Sequence, residues 1–191
     1  MKKTICLNMI VKNESHIIES TLHNILQHIP IDYWVICDTG STDDTMEIIT
    51  HFFKEKDIPG ELFQDEWINF GYNRTKALEY AFNKTDYVFI FDADDLIHGD
   101  FILPIQMDKD KYNIPFENPV YYYRPILVSN RMKWKYNGVL HEYIVNVDPI
   151  LSEEHLYGNY YIESRRIGSR SKNPDKYLND AMVLEKGFFD E

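Results

Sequence analysis

An α/β fold with a doubly wound, mainly parallel sheet is what this sequence predicts, and two features predict it. Apolar runs of strand length alternate with segments of helical periodicity as far as residue 91. Each of the strongest apolar runs also stops abruptly at a cluster of polar and acidic side chains.

Residues 5–11 are almost continuously apolar, as suits a strand buried on both faces. Asn13-Glu14-Ser15 then opens a helix. Ile17, Ile18, Leu22, Ile25, Leu26 and Ile29 recur at helical spacing, and Pro30 closes it. Residues 33–37 form a second buried strand. A polar turn over 38–44 leads into a helix carrying Met46, Ile48, Ile49, Phe52 and Phe53, which Pro59-Gly60 breaks. Residues 61–64 read as a weaker third strand, and 72–82 as a third helix with Ala77, Leu78 and Ala81 inward. Residues 87–91 form a fourth buried strand, ending in Asp92-Ala93-Asp94-Asp95. Open α/β sheets bind ligands at the carboxyl edge of their strands. The polar clusters 12–14, 38–44 and 92–95 each follow a strand directly, so all three are expected on one edge.

Beyond residue 100 the periodicity changes. Pro104, Pro115, Pro119 and Pro125 punctuate shorter aromatic segments. Residues 120–124 and 139–147 read as strands of a mixed or antiparallel region. Asn173-Pro174-Asp175 begins a last helix, with Tyr177, Leu178, Ala181, Leu184 and Phe188 on one side, running almost to Glu191.

A length of 191 residues suits one substantial domain. The net charge of −11 disfavours nucleic acid as a partner, because phosphate backbones are repelled. It also requires that any phosphate-bearing ligand be met by a cation or by local Arg and Lys. Cys6 and Cys37 lie in apolar runs outside any C-x-x-C pair, which predicts buried free thiols in a reducing compartment, the cytoplasm. No apolar stretch approaches the roughly 20 residues of a membrane span, so no transmembrane segment is expected. The short apolar run before Lys12 does not resemble a signal peptide.

Asp92, Asp94 and Asp95 place three carboxylates within four residues, which repel one another unless a cation sits among them. Hard oxygen donors suit Mg²⁺ or Mn²⁺, and such an ion can clamp a diphosphate. The competing reading is a solvated turn with an Asp capping a helix. In the segment Asp38-Thr39-Gly40-Ser41-Thr42-Asp43-Asp44-Thr45, Gly40 allows a tight turn and Ser41, Thr42 or Asp43 can cap the next helix. Capping leaves Asp38 unexplained, and its carboxylate could accept a base N–H or ribose hydroxyls. A calcium loop counted from Asp38 would need Glu at its twelfth position, where Ile49 stands.

Arg74, in Asn73-Arg74-Thr75, is either a surface charge or a phosphate- or base-reaching group. His141-Glu142 lies in the strand-like run Gly138 to Val147. There His141 could ligate a metal and Glu142 could act as a general base, or both could simply face solvent. Arg165, Arg166, Arg170 and Lys172 form a basic cluster suited to phosphate or to charge balance. Walker, dinucleotide-fingerprint and nucleophile-elbow motifs are absent from the sequence.

In their order along the chain these segments resemble the family 2 glycosyltransferases. The carriers are Met9-Ile10-Val11-Lys12-Asn13-Glu14, the Asp38 to Thr45 segment, Phe70-Gly71-Tyr72-Asn73-Arg74-Thr75, Phe91-Asp92-Ala93-Asp94-Asp95 and Gly138-Val139-Leu140-His141-Glu142. The last is similar to the G-x-x-H-E of a lipopolysaccharide-core-type subgroup. Gly168 to Tyr177 resembles the join to helical TPR repeats in some members. In the third segment Asn precedes Arg, the reverse of the family's order.

The resemblance implies a GT-A fold, a Rossmann-like mixed sheet flanked by helices. It implies a transferase domain over residues 1–170 and a C-terminal helix over 171–191 that opens a truncated helical-repeat region. It further implies an inverting transfer from a UDP-sugar to a hydroxyl of a glycan, lipid or protein acceptor, with Mn²⁺ or Mg²⁺. By the same resemblance Val11, Asn13, Glu14, Asp38, Ser41, Arg74, Asp92 and Ala93 line the nucleotide-sugar site. Asp94 and His141 meet the metal, and Glu142 or else Asp95 is the base. Sugar nucleotidyl transfer and a non-catalytic nucleotide- or glycan-binding module are the rival expectations.

Overall fold

The apolar run Ile5–Val11 (β1) forms the centre of a sheet because both its faces are covered. In this computed structural model, which describes residues 2–117, 120–149 and 152–190, β1 pairs in parallel with Tyr33–Asp38 (β2) and Tyr87–Ile90 (β4). Gly60–Gln64 (β3) extends the sheet beyond β2, also in parallel. Leu7, Met9 and Val11 pack with the helices Ile18–His28 (α1) and Thr45–Glu55 (α2) on one face. Cys6, Val35 and Cys37 face Phe70–Ala81 (α3) on the other. Asn8 is buried within this apolar strand and is satisfied by α3, its Nδ2 donating to the Ala77 carbonyl at 2.8 Å.

The predicted parallel half therefore holds, with shifted ends. Asn13-Glu14-Ser15 is a turn, with Asn13 at a φ of 55°, and α1 starts only at Ile18. The second half is mixed, as expected, but built from other pieces. Among the described residues the main sheet runs β3-β2-β1-β4-β7-β6-β11-β5. Here β5 is Asp95–Gly99, β6 Lys111–Glu117, β7 Tyr121–Ser129 and β11 Tyr160–Ser164. The short strand Glu153–His155 (β10) pairs with β6. β7 lies antiparallel to β4, so its first residues extend past Asp92 at the carboxyl edge.

The expected strand over 139–147 is corrected. It is a hairpin of Trp134–Asn137 (β8) and Tyr143–Asn146 (β9), with Gly138 to Glu142 as its turn. Gly138 at φ 93° and His141 at φ 57° reverse the chain there, a local conformation that hydropathy does not register. Pro115 and Pro125 do not punctuate strands but sit inside β6 and β7, beside a register shift at Tyr112/Asn113 that relaxes the ladder. Pro119 and Glu191 lie outside the described residues.

The last helix, Lys176–Asp190 (α4), forms as expected. Its apolar residues Tyr177, Leu178, Leu184 and Phe188 are exposed and do not join the core. Both cysteines are buried and free. No helix of the described residues is long and apolar enough to cross a membrane.

Candidate active site

Parallel strands share one carboxyl edge, and there the polar clusters after β1, β2 and β4 meet. The first two clusters are stitched to each other. The Asn13 N–H donates to Ser41 Oγ at 2.8 Å, and the Thr42 N–H returns a bond to Asn13 Oδ1 at 2.7 Å. The Glu14 N–H donates to Thr45 Oγ1 at 2.8 Å. The Val11 carbonyl accepts from both the N–H and the hydroxyl of Thr39. Asp43, not Ser41 or Thr42, supports the start of α2, its Oδ1 accepting from the Thr45 N–H at 3.1 Å.

Turn capping accounts for half of Asp38, contrary to expectation. Its Oδ1 accepts from the N–H groups of Gly40 and Ser41, at 2.9 and 2.8 Å. Its Oδ2 is buried and accepts no hydrogen bond. An unpaired buried acceptor carries a desolvation cost of about 1–3 kcal/mol, which a ligand N–H or O–H would relieve.

The third cluster is organised by arginine. Arg74 projects from α3, 9% exposed, and forks between two carboxylates. Its Nη2 donates to Asp92 Oδ1 at 2.6 Å and its Nε to Glu142 Oε1 at 2.7 Å. Arg124 of β7 approaches Asp92 Oδ2 from the other side at 3.9 Å and lies over the Phe116 ring. The repulsion expected among the aspartates is thus offset at Asp92 by protein cations. Burial would raise the Asp92 carboxyl, but Arg74 and Arg124 hold it below the usual carboxylate range. Asp95 behaves oppositely: burial, then the charge of Asp92, pushes it well above that range. Its Oδ1 is buried and unpaired.

Asp94 faces a strap that follows β11. The Gly168 N–H donates to Asp94 Oδ2 at 3.1 Å, and the Ser169 N–H donates to Glu14 Oε1, also at 3.1 Å. Arg165 anchors the strap through the Asp94 carbonyl at 3.0 Å. Burial, with a smaller push from Asp94, raises Glu14 to about 7. Of the basic cluster, Arg170 pairs with Asp180 of α4, and Arg166 is exposed. Ala93 is buried, its carbonyl accepting from Thr21 Oγ1 at 2.7 Å.

His141 and Glu142 are not on a strand. They sit in the β8–β9 turn, where Glu142 points at Arg74 while His141 is exposed. Among the described residues no three His, Cys, Asp or Glu side chains gather as a ligand set, so Asp94 and His141 belong to no preformed protein cage. The donors present still fit Mg²⁺ or Mn²⁺. Such ions are commonly held by one or two carboxylates together with substrate phosphates and water, and Asp94 supplies a carboxylate at the shared edge.

Arg124, Gly168 and Ser169 went unrecognised in the sequence as parts of this site. Arg124 gave no signal within its tyrosine-rich stretch. The strap gave one, the basic run beginning at Arg165.

Comparison with known proteins gives the family of this chain. A 93-residue stretch is 33% identical to the SPbeta prophage-derived glycosyltransferase SunS of Bacillus subtilis, covering 49% of this chain and 20% of that protein. The chain resembles the mannosyltransferase PcManGT of Pyrobaculum calidifontis, solved with GDP-Man and Mn²⁺, at 25% identity and a TM-score of 0.44 over 50% of this chain and 29% of that one. It also resembles S. aureus TarS 1–349 solved with UDP-GlcNAc, at 23% identity and a TM-score of 0.43 over 50% and 28%. The matched stretches span between a fifth and a third of these proteins. The family model for glycosyl transferase family 2 matches residues 6–148. With that match over most of the chain, and a mixed sheet flanked by helices as its GT-A scaffold, the chain belongs to glycosyl transferase family 2.

Proposed function

We propose that this chain is an inverting, metal-dependent glycosyltransferase that moves a sugar from a UDP-sugar to an acceptor hydroxyl. The observation that carries this reading is the common carboxyl edge of β2, β1 and β4, where Asp38, Glu14 and Asp92 to Asp94 follow adjacent strands. The unpaired Asp38 Oδ2 suits a base with a single ring N–H. Uracil presents one such donor, whereas guanine offers N1–H beside an amino group. Asp92 then lies where ribose or sugar hydroxyls can bond to it, and Asp94 would hold the cation. The ion, when bound, supplies positive charge to the departing diphosphate.

The acceptor oxygen attacks the anomeric carbon as the bond to the diphosphate breaks on the opposite face. Glu142 takes the acceptor's proton. It is favoured over Asp95 because it sits on a turn beside the arginine that holds Asp92, whereas Asp95 is 2% exposed. Residues 1–170 form the transferase domain on this reading, and the exposed apolar side of α4 suits the opening of a further helical region. Cytoplasmic residence is part of the same proposal, supported by two buried free thiols.

The test is calorimetric titration of UDP with Mn²⁺ and with EDTA. Saturable binding at least tenfold tighter with Mn²⁺ is expected. Equal, weak heats in both conditions would remove the metal-dependent donor reading.

A further inference from the structure

Four contacts join the first half of α3 to the β8–β9 hairpin, and one of them holds Glu142. The Phe70 N–H donates to the Val139 carbonyl at 3.2 Å. Gly71 lies so close to the hairpin turn that an added Cβ would stand 2.2 Å from the Gly138 carbonyl oxygen. Thr75 Oγ1 accepts from the Tyr136 N–H at 2.9 Å. Arg74, between these two, donates through Nε to Glu142 and through Nη2 to Asp92. Three of the contacts use backbone groups of the hairpin and fix where it sits. The fourth carries the tie on from Glu142 to Asp92, at the end of β4.

We infer that Arg74 is a positioning residue rather than a phosphate ligand: it locks the Gly138 to Glu142 turn to the end of β4 and so sets the distance between Glu142 and the donor site. The inference deepens the transferase reading above and rests on it for its catalytic meaning. The geometry supports it in two ways. The Nε and Nη2 of Arg74 are already engaged by carboxylates, at distances typical of strong charge-assisted bonds. The guanidinium is also a planar fork, and a fork can hold two carboxylates at a fixed angle where a lysine ammonium cannot. A phosphate ligand would need donors turned toward the open edge, and at this edge Arg124, with its side chain 33% exposed, is better placed for that.

The consequence is a division of labour. Losing Arg74 should leave donor binding intact and impair the chemical step, because a displacement of about 1 Å in a catalytic group can cost about 100-fold in rate. The experiment compares the full chain with its Arg74→Lys and Glu142→Ala variants. Hydrogen–deuterium exchange is read on the Phe70 and Tyr136 amides, whose hydrogen bonds join α3 to the hairpin, UDP affinity with Mn²⁺ by calorimetry, and UDP release from UDP-glucose and UDP-GlcNAc as turnover. For Arg74→Lys, exchange at the Phe70 and Tyr136 amides should rise at least tenfold while β1 and β2 stay protected. UDP affinity should stay within about threefold, and turnover at saturation should fall about 100-fold.

Glu142→Ala cuts the same tether from the hairpin side. It should raise exchange at the same amides, which keeps the inference testable if Arg74→Lys folds poorly. Unchanged exchange in both variants overturns the inference. So does a tenfold or greater loss of UDP affinity in Arg74→Lys with saturated turnover preserved, since that pattern belongs to a phosphate ligand. If the parent chain binds no UDP, the transferase reading fails, and the exchange data still decide whether Arg74 holds the turn.

Discussion

The two sides of this site are built by opposite means. On the β1–β2 side, Asn13, Glu14, Ser41, Asp43 and Thr45 satisfy one another through a fabric of turn hydrogen bonds. That fabric leaves one buried carboxylate oxygen among the described residues of these two turns, Asp38 Oδ2, without a partner. On the β4 side the carboxylates take their partners from distant segments. Asp92 depends on Arg74 and Arg124, Glu142 on Arg74, and Asp94 on the amide of Gly168. The first side is a preformed cradle whose damage should show in binding. The second is an assembly of charges from distant segments, whose damage should show in turnover and in fold integrity.

The sharpest way to break this contrast is Asp94→Asn. With the carboxylate proposed to hold the metal gone, turnover should fall about 1,000-fold while thermal stability barely moves, since an amide oxygen can still accept from Gly168. Full activity in that variant would sink the metal role. Next in size is Gly71→Ala, where the new Cβ meets a backbone carbonyl that cannot swing aside. A loss of about 3 kcal/mol in unfolding free energy is expected, read by urea denaturation. Asp38→Asn should then raise the Kd for UDP about tenfold, or about 1.4 kcal/mol, and leave the fold in place. Its effect on saturated turnover should be small, which separates the two sides directly.

The smallest effect is a pH slope from Glu14. Its folded value, raised from 4.5 to about 7, means the folded chain binds this proton more tightly than the unfolded chain does. The contribution to stability is therefore fully present below about pH 4.5 and is lost as pH rises through about 7. The loss should amount to about 1 kcal/mol after solvent screening. Glu14→Gln should flatten that slope, and an unchanged slope would place its origin elsewhere.

How much of this was legible follows from the range of each signal. The β1 to β4 half could be read because burial on both faces leaves continuous apolar runs, and α1 to α3 leave helical spacing. Strand β5 could not, since Asp95-Leu96-Ile97-His98-Gly99 has no strong pattern and becomes a strand only by pairing with β11, some 60 residues later. The β8–β9 turn was read as strand because hydropathy says nothing about the positive φ of Gly138 and His141.

The sequence by itself determined that three polar clusters would share one edge, because parallel strands joined by helices all point their carboxyl ends the same way. Only the tertiary structure decided which charges neutralise which. Arg74 and Glu142 are 68 positions apart, and Gly168 lies 74 beyond Asp94. Electrostatic pairing acts through space, so no spacing along the chain encodes it. It was settled when α3 and the hairpin closed against the end of β4.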